Sequence, residues 1–374
     1  MKRTVSLKLA PMISQHTMLT ELAVEFSKVC NMIVPYVIQN RCWNRVRLHH
    51  LVYYDMRILF PSLGSQMICQ AIHRVADAYT TLKANKGIPK DSVPCIAFKS
   101  DSVNFDKRTY TFQGDSGDVS LFTLHGRKNV KFICGKHQKD LIKSGELKEA
   151  RLIIKNKQLY FNLFLDLPDP QLIQSDKVLG VDIGENNLAA TSSGKLYGGK
   201  ELRDKRDRYL HQRSRLQSNG SRASKRKLKI ISGREQRHVK HINHEVSKSI
   251  IQEAMKCNVS EIRMEDLTNI RANIKGGKRI KTRLHRWAFR QLQDFTKYKA
   301  EGVGMKVMFV NPAYTSQTCS VCGGIGKREK YSFSCLCGTK RHSDVNAALN
   351  IAEFAESIGS VRGAVNRPKF ADQK

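Results

Sequence analysis

Apolar positions in the first 86 residues follow two rhythms in turn. Val5 to Ala10 alternates apolar and polar side chains, the period-two signature of a strand with one buried face. From about Met18 to Lys86 the spacing lengthens to three and four, through Leu19, Leu22, Phe26, Val29 and Cys30, then Val52, Met56 and Leu59, then Met67, Ile72, Val75 and Tyr79. That is helix spacing, and Pro35, Pro61 and Gly87-Ile88-Pro89 punctuate it. After Pro94 short alternating runs return at 97–98, 109–112, 119–124, 131–133, 149–154 and 158–165, which predicts a small β-barrel or sandwich. A helical insert (13–94) therefore interrupts a β domain (1–12 and 95–170), and Leu167-Pro168-Asp169-Pro170 closes that domain as a linker.

The pattern changes again at Lys177. KVLGVDIG is an apolar strand ending in Asp182, followed by a turn, a second strand from Asn187 to Thr191 and a third run beyond Ser193-Gly194. The stretch from Lys200 to Lys256 reads as basic helix, its second half striped by Ile242, Val246, Ile250 and Met255. Val259 to Met264 is a strand leading into Glu265. Leu284, Trp287, Ala288, Gln291, Leu292 and Phe295 then share one helical face, and Met305 to Val310 is a final strand. Asp344 opens VNAALNIAEFAESI, again at helical spacing, and residues 359–374 read as a disordered tail. The fold class expected is multidomain α+β.

Charge narrows the partner. The 374 residues carry 65 Lys+Arg against 33 Asp+Glu, a net charge of +32. Such a chain repels itself unless a polyanion is present, so nucleic acid is the expected partner. Lys205 to Lys240 and Arg271 to Arg286 are the most one-sided stretches. Lys205, Arg206, Arg213, Arg215, Arg222, Lys225, Arg226 and Lys227, with Lys278, Arg279, Lys281 and Arg283, are the candidate phosphate contacts. Few aromatics are interleaved, so these stretches suit backbone binding rather than base reading. No stretch approaches the roughly 20 apolar residues of a membrane span, and MKRTVSLKLAP has no signal-peptide core. A reducing, cytoplasmic and nucleoid-associated setting is expected, in which Cys30, Cys42, Cys69, Cys95, Cys134 and Cys257 are single inert thiols.

Two constellations carry candidate chemistry. Cys319 and Cys322 form a CxxC pair, and Cys335 and Cys337 form a CxC pair. Gly323 and Gly338 follow the pairs, so two tight knuckles can set four thiolates tetrahedrally around Zn²⁺. The CxC pair is one residue tighter than usual, which leaves His342 open as a substitute ligand. The second constellation is acidic. Asp182 reads as a turn residue before Gly184 or as a metal ligand, and Asp344 as a helix N-cap or as a third ligand. In a ribonuclease-H-like sheet the strands ending in Asp182 and Glu265 lie side by side, and the closing helix brings Asp344 against them. Three such carboxylates need cations, and an all-oxygen set favours Mg²⁺ or Mn²⁺.

The stretches GVDIGENNLAATSSG (180–194), EIRMEDLTNI (261–270), LHRWAFRQLQDFTKYKAEGVGMKVMFVNPAYTSQTCSVCGG (284–324) and SDVNAALNIA (343–352) resemble the transposon-encoded TnpB (OrfB) family. The RuvC-like nuclease of that family is related to those of type V CRISPR effectors. The resemblance spans about 177 to 358. It implies that Asp182, Glu265 and Asp344 are the nuclease acids and that Cys319, Cys322, Cys335 and Cys337 bind zinc. It further implies a wedge-type β-barrel split by a helical recognition insert, then a RuvC-like domain (171–313 and 341–358) with an inserted zinc ribbon (314–340). The implied function is Mg-dependent, RNA-guided cleavage of double-stranded DNA beside a short motif, with a noncoding RNA from the transposon end as guide. Competing readings are a compact type V CRISPR-like effector, a guided repressor that does not cut, and an unguided zinc-ribbon nucleic-acid binder.

Overall fold

The structure is a computed structural model, and it describes residues 1–89, 91–114, 117–268, 288–311 and 315–353. The chain divides into two units, Met1–Pro168 and Asp169–Lys374.

In the first unit, β1 (Lys2–Leu9) is followed by three helices, α1 (Ile13–Asn40), α2 (Arg45–Leu59) and α3 (Ser65–Lys86). Then come β2 (Ser102–Phe105), β3 (Tyr110–Gln113), β4 (Asp118–Thr123), β5 (Gly126–Ile133), α4 (Lys136–Ser144), β6 (Glu146–Lys155) and β7 (Gln158–Asp166). Seven strands form one sheet in the order β2-β6-β7-β1-β5-β4-β3, so β1 sits in its middle although the helices separate it from the rest. The edge strands β2 and β3 are joined by the short turn 106–109, which is possible only if the sheet curls round until its edges nearly meet. Across that seam the Tyr110 hydroxyl donates to the Lys148 carbonyl at 3.1 Å, and Phe105 and Tyr110 both pack edge-on against Phe161. Of the barrel and the sandwich, the nearly closed barrel is the form observed. Its inward positions and the apolar faces of α1–α3 share one core that includes Leu7, Phe26, Tyr79, Phe105 and Phe161.

Some details differ from the expectation. Pro35 lies inside α1 rather than ending it. Its ring is on the exposed face, where water can serve the carbonyl that loses its partner, while Ile33, Val34 and Val37 stay buried. No strand forms at 97–98; the strand is 102–105, whose SVNF sequence buries two polar residues and gives no alternation to read. The helix α4 has no counterpart in the sequence pattern, because none of its residues is buried and it leaves no core stripe.

The second unit runs β8 (Val178–Asp182), β9 (Asn187–Thr191), β10 (Leu196–Gly198), α5 (Lys200–Asn219), α6 (Arg222–Lys256), β11 (Glu261–Glu265), α7 (Phe289–Glu301) and β12 (Lys306–Val310). A small three-stranded sheet of β13 (Lys327–Glu329), β14 (Ser332–Ser334) and β15 (Lys340–His342) follows, then α8 (Ser343–Glu353). The main sheet has the order β10-β9-β8-β11-β12; β9 and β10 are antiparallel to their neighbours, while β8, β11 and β12 are mutually parallel. Leu179, Val181, Ile262 and Met264 share a core with Ile250 and Ile251 of α6 and with Phe289 and Leu292 of α7. The buried line of α7 is Phe289, Leu292, Gln293, Thr296 and Ala300, one position round from the stripe expected, and Phe295 is only half-buried, stacked on His244. Leu284 and Trp287 of that stripe lie outside the described residues, as does the tail 359–374.

On the opposite face, α8 crosses the sheet at Gly180. A Cβ there would stand 1.9 Å from the Ala348 carbonyl oxygen and 2.6 Å from the Ala352 nitrogen, so only glycine lets the helix come this close. Gly180→Ala is accordingly expected to lower the stability of this unit by about 3 kcal/mol. A urea titration followed by circular dichroism checks it; an unchanged midpoint would mean that α8 docks elsewhere.

Candidate metal centres and nucleic-acid surface

The main sheet delivers two acids to one edge. Met264 pairs with Val181 in the parallel register, so the next residues, Glu265 and Asp182, end adjacent strands side by side. The carboxyl ends of parallel strands are where open α/β sheets bind ligands. The third acid arrives with α8, whose first turn holds Asp344, a buried residue. Asp344 is not spent on capping its own helix. Its Oδ2 accepts from Asn187 Nδ2 at 2.9 Å, and its Oδ1 accepts from Arg328 Nη2 at 2.8 Å.

Electrostatics ties Asp182 to the other two. Burial pushes the Asp182 carboxyl up to about 8, and the negative charges of Glu265 and Asp344 add to the rise while Arg328 opposes it. Glu265 is also raised by burial, against a hydrogen bond from the Thr315 hydroxyl and the field of Arg328. Its backbone carbonyl is held by Gln293 Nε2 at 2.7 Å, which fixes where the strand ends. Sequence reading picks out the three acids and misses Asn187, Thr315 and Arg328. Only Arg328 leaves a trace in the sequence, as a cation inside the cysteine segment.

The four cysteines form a tighter set. One ligand atom from each of Cys319, Cys322, Cys335 and Cys337 lies within 4.8 Å of all the others. Cys319 and Cys337 sulfurs are 3.7 Å apart, and Cys322 and Cys335 sulfurs 3.5 Å. A tetrahedron with Zn–S bonds of about 2.3 Å has edges of about 3.8 Å, so the quartet fits zinc, CxC pair included. Gly323 and Gly338 take positive φ of 71° and 87°, the left-handed turn each knuckle needs after its second thiol. His342 stands aside: its Nδ1 accepts from the Asp344 backbone N–H at 3.2 Å and its ring stacks on Tyr331. Among the described residues no other group of three or more Cys, His, Asp or Glu side chains meets so closely, the three acids included.

The basic candidates divide. Arg215, Arg222, Lys225, Arg226 and Lys227 are exposed on α5 and the start of α6. Lys205, Arg206 and Arg213 are half-buried, and two of them turn inward: Arg213 Nη1 lies 2.8 Å and Arg206 Nε 3.5 Å from the buried carboxylate of Glu235. Those two guanidinia hold the α5–α6 hairpin together. Lys278, Arg279, Lys281 and Arg283 lie outside the described residues. No helix among the described residues is long and apolar enough to cross a membrane.

Fold, acids and knuckles together define a multidomain α+β protein with one buried and two half-buried carboxylates near a four-thiol site fit for zinc. Two family models match the sequence: one described as probable transposase over residues 163–271, and one described as Cas12f1-like, TNB domain, over residues 289–351. A TnpB-like protein of Methanocaldococcus jannaschii is 30% identical over 271 residues, which are 68% of this chain and 95% of the relative. The CRISPR-associated endodeoxyribonuclease Cas12f1 of Sulfoacidibacillus thermotolerans is 29% identical over 350 residues, 82% of this chain and 80% of the relative. A solved Cas12f1–sgRNA–target DNA complex aligns over 94% of this chain and 99% of its own, with a TM-score of 0.41 and 17% identity. The chain belongs to the TnpB-like family.

Proposed function

We propose that this protein is an RNA-guided DNA endonuclease of the TnpB type, cutting target DNA at Asp182, Glu265 and Asp344. The observation that carries the proposal is that Asp182 and Glu265 end adjacent strands at one sheet edge, where the charges of Glu265 and Asp344 both act on Asp182, in a chain of this family. The strand order β10-β9-β8-β11-β12, three antiparallel strands continued by two parallel ones, supports an RNase H-like (RuvC) reading of the second unit. The nuclease domain would comprise 171–313 and 341–358 around a ribbon at 314–340. In the first unit the barrel (1–12 and 95–170) would be the wedge-type domain and residues 13–94 the recognition insert.

Asp182, Glu265 and Asp344 would hold Mg²⁺ or Mn²⁺, which activates water and stabilises the charge that develops on a phosphodiester. The acids are spread more widely than the thiols, which suits a pair of ions better than one shared ion. Asn187 fixes the rotamer of Asp344, and Thr315 that of Glu265, so two of the ligands are oriented in advance. Arg328, about two-fifths exposed, balances the acids and is near enough to meet a phosphate brought to them. Zinc at the four cysteines would act at a distance, by fixing the ribbon strand that carries Arg328.

Guide RNA would lie on basic surfaces that include the exposed cations of α5 and α6, while base pairing reads the target and the protein reads a short motif beside it. The non-cutting and unguided readings leave one buried and two half-buried acids without a task. The compact CRISPR-like variant keeps the same chemistry and draws support from the extent of the Cas12f1 match. Sequencing the RNA that copurifies with the protein tests the proposal. A single discrete species with one segment complementary to cleaved DNA is expected, released steeply as salt rises. Heterogeneous cellular RNA would sink guidance.

A further inference from the structure

The face of the second unit's sheet that carries α8 has an open margin. α8 runs antiparallel to β8: Asp344 lies by the strand's end, Ala348 and Ala352 pass over Gly180, and the Ala352 carbonyl accepts from Arg263 Nη1 at 2.8 Å. The chain leaves α8 heading for the start of β11 and β12. There a groove of about 530 Å³ opens, lined by Leu172, Met305 and Met308 and by the acids Asp169, Glu261 and Glu301. Leu172 is 57% exposed, an uncovered apolar side chain on the groove wall. Three carboxylates and one cation, Lys306, line it in a chain whose net charge is +32, with Arg263 on Glu261 and Lys297 3.9 Å from Glu301 at its edge.

Arg263 links helix and groove, since the guanidinium that holds Ala352 also donates from Nε to Glu261 at the rim. The last turn of α8 therefore ends about one side chain away from the groove. Ala347 and Ile351 are buried on the sheet side of α8, and in the sequence that spacing continues through Phe354 and Ile358 to Arg362. This gives two apolar residues and then a cation, in an order that matches a hydrophobic groove with an acidic rim. Residues 354 to 362 span about 13 Å as helix, and more if extended, which is enough to cross it.

We propose that this groove is the docking site for the chain's own residues 354–362, which lie outside the described residues. Phe354 and Ile358 cover Met305, Met308 and Leu172, and Arg362 meets Glu301 and Asp169. The docked segment would seal the margin of the sheet and anchor α8 from its far end, and so hold Asp344 in place. The proposal does not depend on the nuclease reading.

The test places a photoreactive benzoylphenylalanine at Leu172 in the full chain and maps the cross-links by fragment-ion mass spectrometry. The expected product is an intramolecular link into residues 354–362. Its yield should fall by about tenfold with Phe354→Asp plus Ile358→Asp, as loss of two buried apolar contacts predicts, and should fall also with Glu301→Lys. A product with the mass of two chains would assign the groove to a second copy and overturn the proposal. Links confined to other residues, or a yield indifferent to both variants, would overturn it too.

Discussion

Asp182→Asn, Glu265→Gln and Asp344→Asn are each expected to lower the rate of target cleavage by about 10³-fold or more while leaving RNA binding intact. Losing one oxygen ligand removes metal-borne stabilisation of the transition state, and about 4 kcal/mol corresponds to that factor. The amides are close in shape to the acids, so the fold has no steric reason to fail. In metal-free protein the Asp182 variant should even be more stable above neutral pH. The native carboxyl is raised to about 8, far above its value in an unfolded chain, so its favourable contribution is complete in acid and is lost as pH rises through the folded value. Asparagine carries no proton to lose, and that part of the pH dependence disappears. Single-turnover cleavage assays and thermal melts between pH 5 and pH 9 check both statements. Unchanged cutting by any one variant would remove that acid from the site.

The second large effect belongs to the cysteines. Cys319→Ser should abolish zinc binding and with it the order of β13–β15. Cys319 is buried, and a structural zinc site contributes about 10–16 kcal/mol that no other core in so small a sheet can replace. Phe333 is the one apolar residue of these three strands that is fully buried. Cleavage should be lost as well, because β13 carries Arg328 and Arg328 is bonded to Asp344. The first unit, whose core contains no residue of the ribbon, should keep its own thermal transition. Metal analysis of the purified variant together with the cleavage assay separates the outcomes. Wild-type cutting by zinc-free protein would detach the ribbon from the active site.

Much of this was legible because it is local. Alternation marked β1 and most strands of the barrel, apolar runs marked those of the second sheet, i, i+3, i+4 spacing marked the core-facing helices, and a pair of thiols two or three residues apart can be read without knowing the fold. The acids were legible for a related reason: a carboxylate at the end of an apolar strand is costly unless it has a task. Sequence could not choose between barrel and sandwich, since that depends on whether the two ends of the sheet close on each other, a contact that Tyr110 of β3 makes with Lys148 of β6. It placed the α7 stripe one position off because burial there is set by α6 on one side and β12 on the other.

The linear pattern by itself therefore determined most of the long strands and helices and both knuckles, that the chain seeks a polyanion, and which acids and thiols are the candidates for chemistry. The tertiary structure decided what those groups do to one another. It set Asp344 against Asn187 and Arg328 rather than on its own helix end, turned Arg206 and Arg213 inward to Glu235, and let the CxC pair complete the cysteine quartet without His342. The physical reason is range. Propensity and periodicity act over a few residues, whereas the protonation of a buried carboxylate and the partner of a guanidinium are fixed by groups that only folding brings within a few ångströms.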